Sequence, residues 1–249
     1  MTKDEAWLLE EKYQGKKTEG FFADVERLKS GEPLAYIIGH LPFLNTKICL
    51  DSKPLIPRTE TEYWIEKVIH EIQNRRGLTP TIRVLDLCAG SGCIGVALLT
   101  EIDYAHVDFA EIDEMHHSSI LKNIVENNID VSRTNILGGD LFERVTEKYD
   151  YILTNPPYID PILDRSEEAV RKFEPHEALY GGTGGLEIIV RIIEKASNFL
   201  TPDGALYIEH EPEQTERIVE LAKPQSFAST TYTDQYNTPR YTKFTRNSR

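Results

Sequence analysis

The sequence predicts an α/β fold in which helices cover both faces of a mostly parallel sheet of seven strands, closed at one edge by an antiparallel hairpin. Three observations lead to this fold class. Strand and helix patterns alternate from residue 81 onward, a glycine-rich loop joins the first of these strands to the next helix, and two strand-like segments close the chain. A chain of 249 residues is long enough for one such domain and a small addition.

The beginning of the chain predicts a separate small region. Residues 4–28 have the apolar spacing of helices, with interruptions at Gly15 and Gly20, and they are too few to fold alone. Residues 31–50 contain alternating and β-branched residues around Gly39, which predicts a β-hairpin or an extended arm.

The main domain follows a proline-rich segment. Apolar residues at helical spacing over 63–72 predict a helix that leads into it. The strands that we predict span 81–87, 106–111, 134–139, 149–154, 205–210, 227–233 and 240–245. The predicted helices between them span 93–102, 115–128, 186–200 and 213–223.

The composition narrows the classes of partner. A net charge of -13 and a pI near 5.0 oppose binding of nucleic acid through generic phosphate contacts, so we expect a protein or small-molecule substrate and no direct nucleic-acid partner. The cysteines Cys49, Cys88 and Cys93 form no CxxC pair and have no histidines at zinc-ligand spacing, so we expect no metal site. With no signal peptide and no apolar run of membrane-spanning length, the sequence predicts a cytoplasmic protein without membrane contact.

A glycine-rich loop, DLCAGSGCIG over residues 86–95, follows the first predicted strand of the domain. Gly90, Gly92 and Gly95 match the GxGxxG pattern of dinucleotide-binding proteins, which by itself is a weak signal. Asp86 changes the balance, because a carboxylate at this strand end would repel a pyrophosphate but attract the amino group of S-adenosylmethionine (SAM). The loop therefore favours SAM, and an NAD-dependent reductase stays as an alternative.

Acidic residues also end the next two strands. Glu111 is placed to accept hydrogen bonds from ribose hydroxyls, which would serve SAM and NAD equally, while Asp113 is a competitor that can instead cap the following helix. After the third strand, Asp140 is a candidate acceptor for the adenine amino group, with Leu141 and Phe142 packed on the ring; a solvated loop aspartate is the alternative.

The segment Asn155-Pro156-Pro157-Tyr158, the NPPY turn, follows the fourth predicted strand. The Asn155 side-chain oxygen and the Pro156 carbonyl can accept the two hydrogens of a planar nitrogen, and Tyr158 can stack on the planar group. Such an arrangement suits methylation of an amide or aryl-amine nitrogen, whereas a plain Asn-Pro turn is the alternative interpretation. In an open α/β sheet all these positions meet at the carboxyl ends of the strands.

Several further motifs accompany the loop and the turn: GEPLAYIIG, LIPRTETE, LDLCAGSG, NPPYID, FEPHEAL and GGTGGL. With these motifs, residues 31–246 resemble the N5-glutamine methyltransferases that modify peptide chain release factors, the HemK/PrmC family. NPPY alone is shared with adenine N6-methyltransferases that act on DNA or RNA. LIPRTETE (residues 55–62) and FEPHEAL (residues 173–179) are what favour the glutamine enzymes.

The resemblance implies a class I SAM-dependent methyltransferase, Rossmann-like in fold, over residues 51–249. Residues 1–50 would form a recognition region, shorter than the family usually carries. The substrate would be a class 1 release factor, methylated on the glutamine of its Gly-Gly-Gln motif, with S-adenosylhomocysteine as the other product. We expect direct in-line methyl transfer without a metal or a covalent enzyme intermediate.

The resemblance also implies roles for individual residues. The cofactor would contact Asp86, Cys88, Ala89, Gly90, Ser91, Gly92, Glu111, Asp140, Leu141 and Asn155. The substrate glutamine would contact Asn155, Pro156, Pro157, Tyr158, Arg58 and Glu60, and the expected catalytic residues among these are Asn155, Pro156 and Tyr158. Thr59 stands where the family tends to have proline, and Gly184 where an aspartate is common.

Two alternatives to glutamine methylation stay open. An adenine N6-methyltransferase would use the same NPPY turn on a flipped base. A SAM-binding scaffold without catalysis is the second alternative, and the intact NPPY sequence argues against it.

Overall fold

The computed structural model of the protein describes residues 1–75 and 80–246. The helices are α1 (Lys3–Tyr13), α2 (Glu19–Lys29), α3 (Leu34–Ile38), α4 (Thr59–Asn74), α5 (Cys93–Glu101), α6 (Glu114–Glu126), α7 (Glu168–Phe173), α8 (His176–Leu179), α9 (Glu187–Ala196) and α10 (Thr215–Ala222). The strands are β1 (His40–Phe43), β2 (Thr46–Cys49), β3 (Ile82–Leu87), β4 (Ala105–Glu111), β5 (Thr134–Gly138), β6 (Tyr149–Thr154), β7 (Leu200–Glu209), β8 (Phe227–Thr233) and β9 (Pro239–Arg246).

The main sheet has seven strands in the order β5-β4-β3-β6-β7-β9-β8. Strands β3 to β7 pair in parallel, while β9 runs antiparallel to both β7 and β8. The predicted fold class, with its closing hairpin at the sheet edge, is confirmed. The strand order changes direction between β3 and β6, and their register pairs Leu87 with Thr154. The loop after β3 and the turn after β6 therefore begin side by side, at the position where such sheets bind ligands.

Hydrophobic clusters lie on both faces of this sheet. On one face α4, α5 and α6 pack against the strands, and Trp64 and Phe109 are fully buried there. On the other face α9 and α10 pack around residues such as Ile192 and Phe244. Among the described residues, no helix is both long and apolar enough to cross a membrane.

The N-terminal region forms two helices joined by a short turn. Gln14 and Gly15 both have positive φ at the end of α1, and the Thr18 hydroxyl accepts a hydrogen bond from the Phe21 N–H to begin α2. The expected interruption at Gly15 is confirmed, but the one at Gly20 is wrong, because Gly20 lies in the first turn of α2. A small separate core joins these helices to α3 through Leu8, Phe21, Val25 and Ile37.

The predicted hairpin is confirmed over β1 and β2, whereas residues 34–38 form the helix α3 instead of extended chain. The buried Asn123 of α6 holds this hairpin: its Oδ1 accepts from the Cys49 N–H at 2.7 Å, and its Nδ2 donates to the Cys49 carbonyl at 3.1 Å and to the Ser91 carbonyl at 2.9 Å. Phe43 and Ile48 belong to the core of the main sheet. The hairpin thus packs with the main domain, and a functional division at residue 50 stays a prediction.

Candidate active site

The glycine loop depends on backbone geometry that glycine adopts readily. Gly90 and Gly92 have φ of 54° and 77°, and Cys88 between β3 and these glycines also has a positive φ of 60°. A Cβ at Gly90 would meet no atom of residues 1–75 or 80–246 within 4 Å, so its open side faces free space in this part of the chain. A Cβ at Gly95 would overlap the ring of Phe109, so this glycine permits the close approach of α5 to β4.

The Glu111 carboxylate connects the glycine loop to the end of β4 by a hydrogen bond. Its Oε2 accepts from the Gly90 N–H at 2.7 Å, and its Oε1 accepts from the Asp113 N–H at 2.9 Å, with the side chain almost fully buried. Each oxygen keeps a second lone pair for another donor. Asp113 accepts from the Met115 N–H and caps α6, as its alternative interpretation predicted.

Asp86 lies inside the protein at the base of the loop. Its Oδ2 accepts from the Gly95 N–H at 2.9 Å, whereas its Oδ1 is buried and has no partner among the described residues. Burial, together with the charge of Glu111, raises the pKa of Asp86 well above its usual value, despite the Gly95 hydrogen bond. Within the described part of the chain, Asp86 thus keeps one acceptor oxygen without a hydrogen bond.

The segment after β5 differs in part from the expectation. Asp140 pairs with Arg191 through its Oδ2, and Leu141 has a positive φ of 53°. Phe142 stacks face to face on Phe199, with ring centroids 4.7 Å apart, and is buried in the core. One face of the Phe142 ring is thus covered by a core partner, and its packing on an adenine ring stays a prediction.

Ile112 is a candidate that the sequence interpretation missed. It follows Glu111 directly, and its side chain is 62% exposed. An apolar residue between two acids at the end of a strand was the available signal. Its exposure beside the proposed ribose acceptor makes it available to cover an apolar ligand surface.

The NPPY turn begins directly after β6 and contacts groups from α4 and β7. The Asn155 Nδ2 donates to the Thr61 hydroxyl at 3.1 Å, and that hydroxyl donates to Oε2 of the buried Glu209 at 2.7 Å. The Tyr158 hydroxyl donates to Oε1 of Glu209 at 3.0 Å. Among the described residues none donates to the Pro156 carbonyl.

A cavity of about 400 Å³ opens beside this turn. Its lining residues are Leu55, Arg58, Asn155, Pro156, Tyr158, Ile159, Ser166, Glu167, Val170, Ala178, Leu179 and Glu211. Glu174 joins the LIPRTETE and FEPHEAL segments at this cavity: its Oε1 pairs with Arg58 at 2.7 Å, and its Oε2 accepts from the Ile56 N–H at 3.0 Å. The two segments are more than 100 positions apart in sequence, yet both border the NPPY turn.

Of the two charged residues expected on the substrate side, the structure places only Arg58 in the cavity lining. Glu60 lies in the first turn of α4, where its carboxylate accepts from the Thr59 hydroxyl at 3.1 Å. The sequence interpretation passed over Thr61, one position further along, which is the residue that contacts Asn155. The threonine faces inward because it lies on the buried side of α4.

The GGTGGL loop (residues 181–186) packs on the backbone of the NPPY turn. Cβ atoms at Gly181 and Gly185 would overlap the carbonyl oxygens of Pro157 and Tyr158. Gln214 joins the two segments, because its Nε2 donates to the Tyr158 carbonyl at 2.8 Å and to the Gly184 carbonyl at 2.9 Å. The glycines of this motif thus set how closely the loop supports the turn.

Comparisons with known proteins agree with this geometry. The family model described as methyltransferase small domain matches residues 68–174. The release factor glutamine methyltransferase of Francisella tularensis subsp. tularensis is 34% identical over 202 residues, which cover 81% of this chain and 69% of that protein. The crystal structure of a methyltransferase from Pyrococcus furiosus is 18% identical with a TM-score of 0.59, covering 93% of this chain and 100% of that chain. The hMettl16 catalytic domain, solved with the MAT2A 3′UTR hairpin 6, is 17% identical with a TM-score of 0.62, covering 82% and 76%.

The sheet order, the glycine loop at the end of β3 and the matching solved structures define a class I methyltransferase, the class that uses SAM. The likeness to the solved structures concerns the fold alone, whereas the identity to the curated relative extends over most of both chains. The chain belongs to the release factor glutamine methyltransferase family, which confirms the resemblance carried by its motifs.

Proposed function

We propose that this protein transfers a methyl group from SAM to the side-chain amide nitrogen of the glutamine in the Gly-Gly-Gln motif of a class 1 release factor. The observation that carries the proposal is the meeting of the LIPRTETE and FEPHEAL segments with the NPPY turn at one cavity. By the family resemblance, these two segments favour the glutamine enzymes over other proteins with NPPY. The name of the Francisella tularensis relative supports the same activity.

The residues at the ends of β3 and β4 suit SAM. The open side of Gly90 leaves room for the methionine part along Cys88 to Gly92, and the unused Oδ1 of Asp86 is an acceptor at the base of that loop. Glu111 keeps lone pairs for ribose hydroxyls, and the exposed Ile112 can cover the adenine.

Three further residues belong to the proposed cofactor site. Asp140 and Leu141 would flank the adenine, and Asn155 would lie next to the reacting end of the cofactor. When bound, SAM supplies an electrophilic methyl group on its sulfonium. Ala89 and Ser91, both buried, would shape the loop from behind.

The NPPY turn would position the substrate nitrogen. An amide nitrogen is a weak nucleophile because its lone pair is delocalised, so its orientation controls the rate. Oδ1 of Asn155 and the Pro156 carbonyl would accept the two amide hydrogens, while the Tyr158 ring packs on the planar group and Pro157 limits the width of the pocket. The proton can leave after transfer, so this scheme requires no general base.

Mass spectrometry tests the proposal directly. After incubation with SAM and this protein, a release factor should carry one added methyl on the Gly-Gly-Gln glutamine. Asn155→Ala should lower turnover roughly 100-fold, because a positioned hydrogen-bonding group at the reacting atoms is lost, while the Kd for SAM changes little. A loss of SAM affinity as large as the loss of turnover would contradict the role of Asn155.

The same assay separates the alternatives. Methyl incorporation into RNA or DNA but not into a release factor would assign an adenine N6-methyltransferase, which the net charge of -13 disfavours. Any turnover excludes a scaffold without catalysis. A rise in Tm with NADH but not with SAM would favour the reductase.

We propose further that residues 1–50 recognise the release factor. The first helices form a small core of their own, and Trp7 and Phe22 expose about half of their surface, 49% and 56%. Trp7→Ala should raise the KM for the release factor and leave the KM for SAM unchanged. Unchanged KM values for both substrates in Trp7→Ala and Phe22→Ala would contradict this role.

A further inference from the structure

We propose that Glu209 is a positioning residue that fixes both sides of the substrate cavity, holding the Asn155 side-chain amide through Thr61 and the Tyr158 ring through its hydroxyl. The inference rests on the proposed function and adds a residue outside the NPPY turn to it. Glu209 ends β7, which pairs in parallel with β6 through Thr154 and Ile208. The sheet register therefore places Glu209 next to the first residue of the turn.

Glu209 accepts hydrogen bonds from three donors. Its Oε2 accepts from the Trp64 indole N–H at 2.6 Å and from the Thr61 hydroxyl at 2.7 Å, and its Oε1 accepts from the Tyr158 hydroxyl at 3.0 Å. An indole N–H can only donate, so Oε2 acts as an acceptor toward Trp64. Burial raises the pKa of Tyr158 well above its usual value, and its hydroxyl therefore keeps the proton that it donates. Burial raises the pKa of Glu209, whereas the hydrogen bonds from Trp64, Thr61 and Tyr158 lower it. Three donors on one buried carboxyl match the acceptor-only chemistry of a carboxylate.

The direction of the bond to Asn155 follows from this. The Thr61 hydroxyl has one hydrogen, which it donates to Glu209, so it presents only lone pairs to Asn155. Nδ2 of Asn155 must then face the Thr61 hydroxyl. If Oδ1 of Asn155 faced it instead, two oxygen lone pairs would repel each other. The hydrogen-bond network thus assigns the amide orientation and leaves Oδ1 as the acceptor for a substrate N–H.

The substrate wall formed by Tyr158 depends on the same carboxylate. Tyr158 lines the cavity together with Asn155, and its hydroxyl bond to Oε1 restrains the ring position. One buried side chain therefore controls the acceptor and the aromatic face that the proposed reaction needs. The contacts of Glu209 with Thr61 and Tyr158 were not evident from the sequence, in which Glu209 is one residue of the predicted strand 205–210.

Thr61→Val and Thr61→Ser form a matched pair for the test. Valine keeps the shape of threonine but removes the hydroxyl, so Asn155 loses the acceptor that orients its amide. We expect the kcat for release factor methylation to fall about 10- to 100-fold. A misplacement of the reacting groups by about 1 Å can lower a rate by about 100-fold. Serine restores the hydroxyl, so its kcat should stay within about threefold of the wild type. The Kd for SAM should be unchanged in both variants.

Trp64→Phe is the control variant. Trp64 donates to Glu209, as Thr61 does, but it makes no hydrogen bond to Asn155 among the described residues. Trp64→Phe removes one donor to Oε2 but leaves the Thr61 bond, so its kcat should resemble the wild type. Equal falls in kcat for Thr61→Val and Trp64→Phe, or a fall in Thr61→Ser as large as in Thr61→Val, would show a merely structural role and overturn the inference. An unchanged kcat in Thr61→Val would also overturn it.

A second measurement does not depend on activity. In the wild type, NMR should show slowly exchanging side-chain NH2 signals of Asn155, assigned by their loss in Asn155→Ala, and Thr61→Val should shift them and speed their exchange. If the wild type methylates no release factor, the proposed function fails, and these signals still decide whether the network holds the amide. Signals that are the same in Thr61→Val and the wild type would overturn the inference alone.

Discussion

Gly185→Ala offers the sharpest test of how the GGTGGL loop supports the NPPY turn. Gly185 has a φ of 67°, and an added Cβ would overlap the Tyr158 carbonyl oxygen and lie 2.7 Å from the carbonyl carbon. Ordinary contact begins at 3.4 Å, so the carbonyl carbon alone would have to move away by about 0.7 Å, and the overlapped oxygen requires a larger displacement. A left-handed alanine costs about 1–2 kcal/mol, and overpacking of this kind costs about 1–3 kcal/mol more.

Gly184→Ala is the matched control in the same loop. Gly184 has a φ of 64°, nearly the same as Gly185, but the one contact that a Cβ there would make with the described residues is with a Leu186 methyl at 3.8 Å. Both variants carry the cost of a left-handed alanine, and only Gly185→Ala adds the overlap. We expect a free energy of unfolding lower by about 1–2 kcal/mol in Gly184→Ala and by about 2–5 kcal/mol in Gly185→Ala.

Urea denaturation and methyl-transfer kinetics measure the two effects separately. Because the displaced carbonyl belongs to Tyr158, we expect the kcat of Gly185→Ala to fall well below that of Gly184→Ala at a temperature where both are folded. Equal losses of stability in the two variants would refute the packing argument. Loss of stability in Gly185→Ala with an unchanged kcat would refute the link between this loop and the substrate cavity.

Three further predictions concern stability. Thr59→Pro should raise the free energy of unfolding by about 0.4–1 kcal/mol in urea denaturation, since Thr59 is the first residue of α4 and the preceding Arg58 is extended; a decrease would contradict this. Asn123→Ala should lower it by about 3 kcal/mol, because buried groups of Cys49 and Ser91 lose their partner. Asn127→Ala is the control, because it removes the hydrogen bonds to the exposed Lys47 backbone and should lower the free energy of unfolding by less than about 1 kcal/mol. Equal losses in Asn123→Ala and Asn127→Ala would contradict the role of burial. Burial lowers the pKa of His210 to about 4. Between pH 6.5 and 4 the unfolded chain therefore binds a proton that the folded chain does not. The free energy of unfolding should fall by about 3 kcal/mol as the pH drops through this window. His210→Gln should show a shallower pH dependence of the urea midpoint, and identical slopes would exclude His210 as the cause.

Much of the fold followed from local patterns. Each of the seven strands of the main sheet overlaps a predicted strand, and the central parallel strands were recognisable because buried parallel strands have nearly continuous hydrophobic sequences. The pattern was less informative for residues 34–38, where a short helix replaced the expected extended chain. Helices this short derive their stability from packing, so their sequence has little periodicity to recognise.

The sequence by itself determined the residue types that the chemistry needs: the glycines after β3, the acid at the end of β4 and the NPPY turn after β6. These features could be predicted because each depends on the backbone angles or hydrogen-bonding groups of adjacent residues alone. Only the tertiary structure decided which distant residues support them. Phe142 stacks on Phe199, Thr61 and not Glu60 contacts Asn155, and Glu209 joins Asn155 to Tyr158 across the sheet. The physical reason is that helix rotation and strand register choose these contacts, and both depend on burial of the whole core, which no single segment encodes.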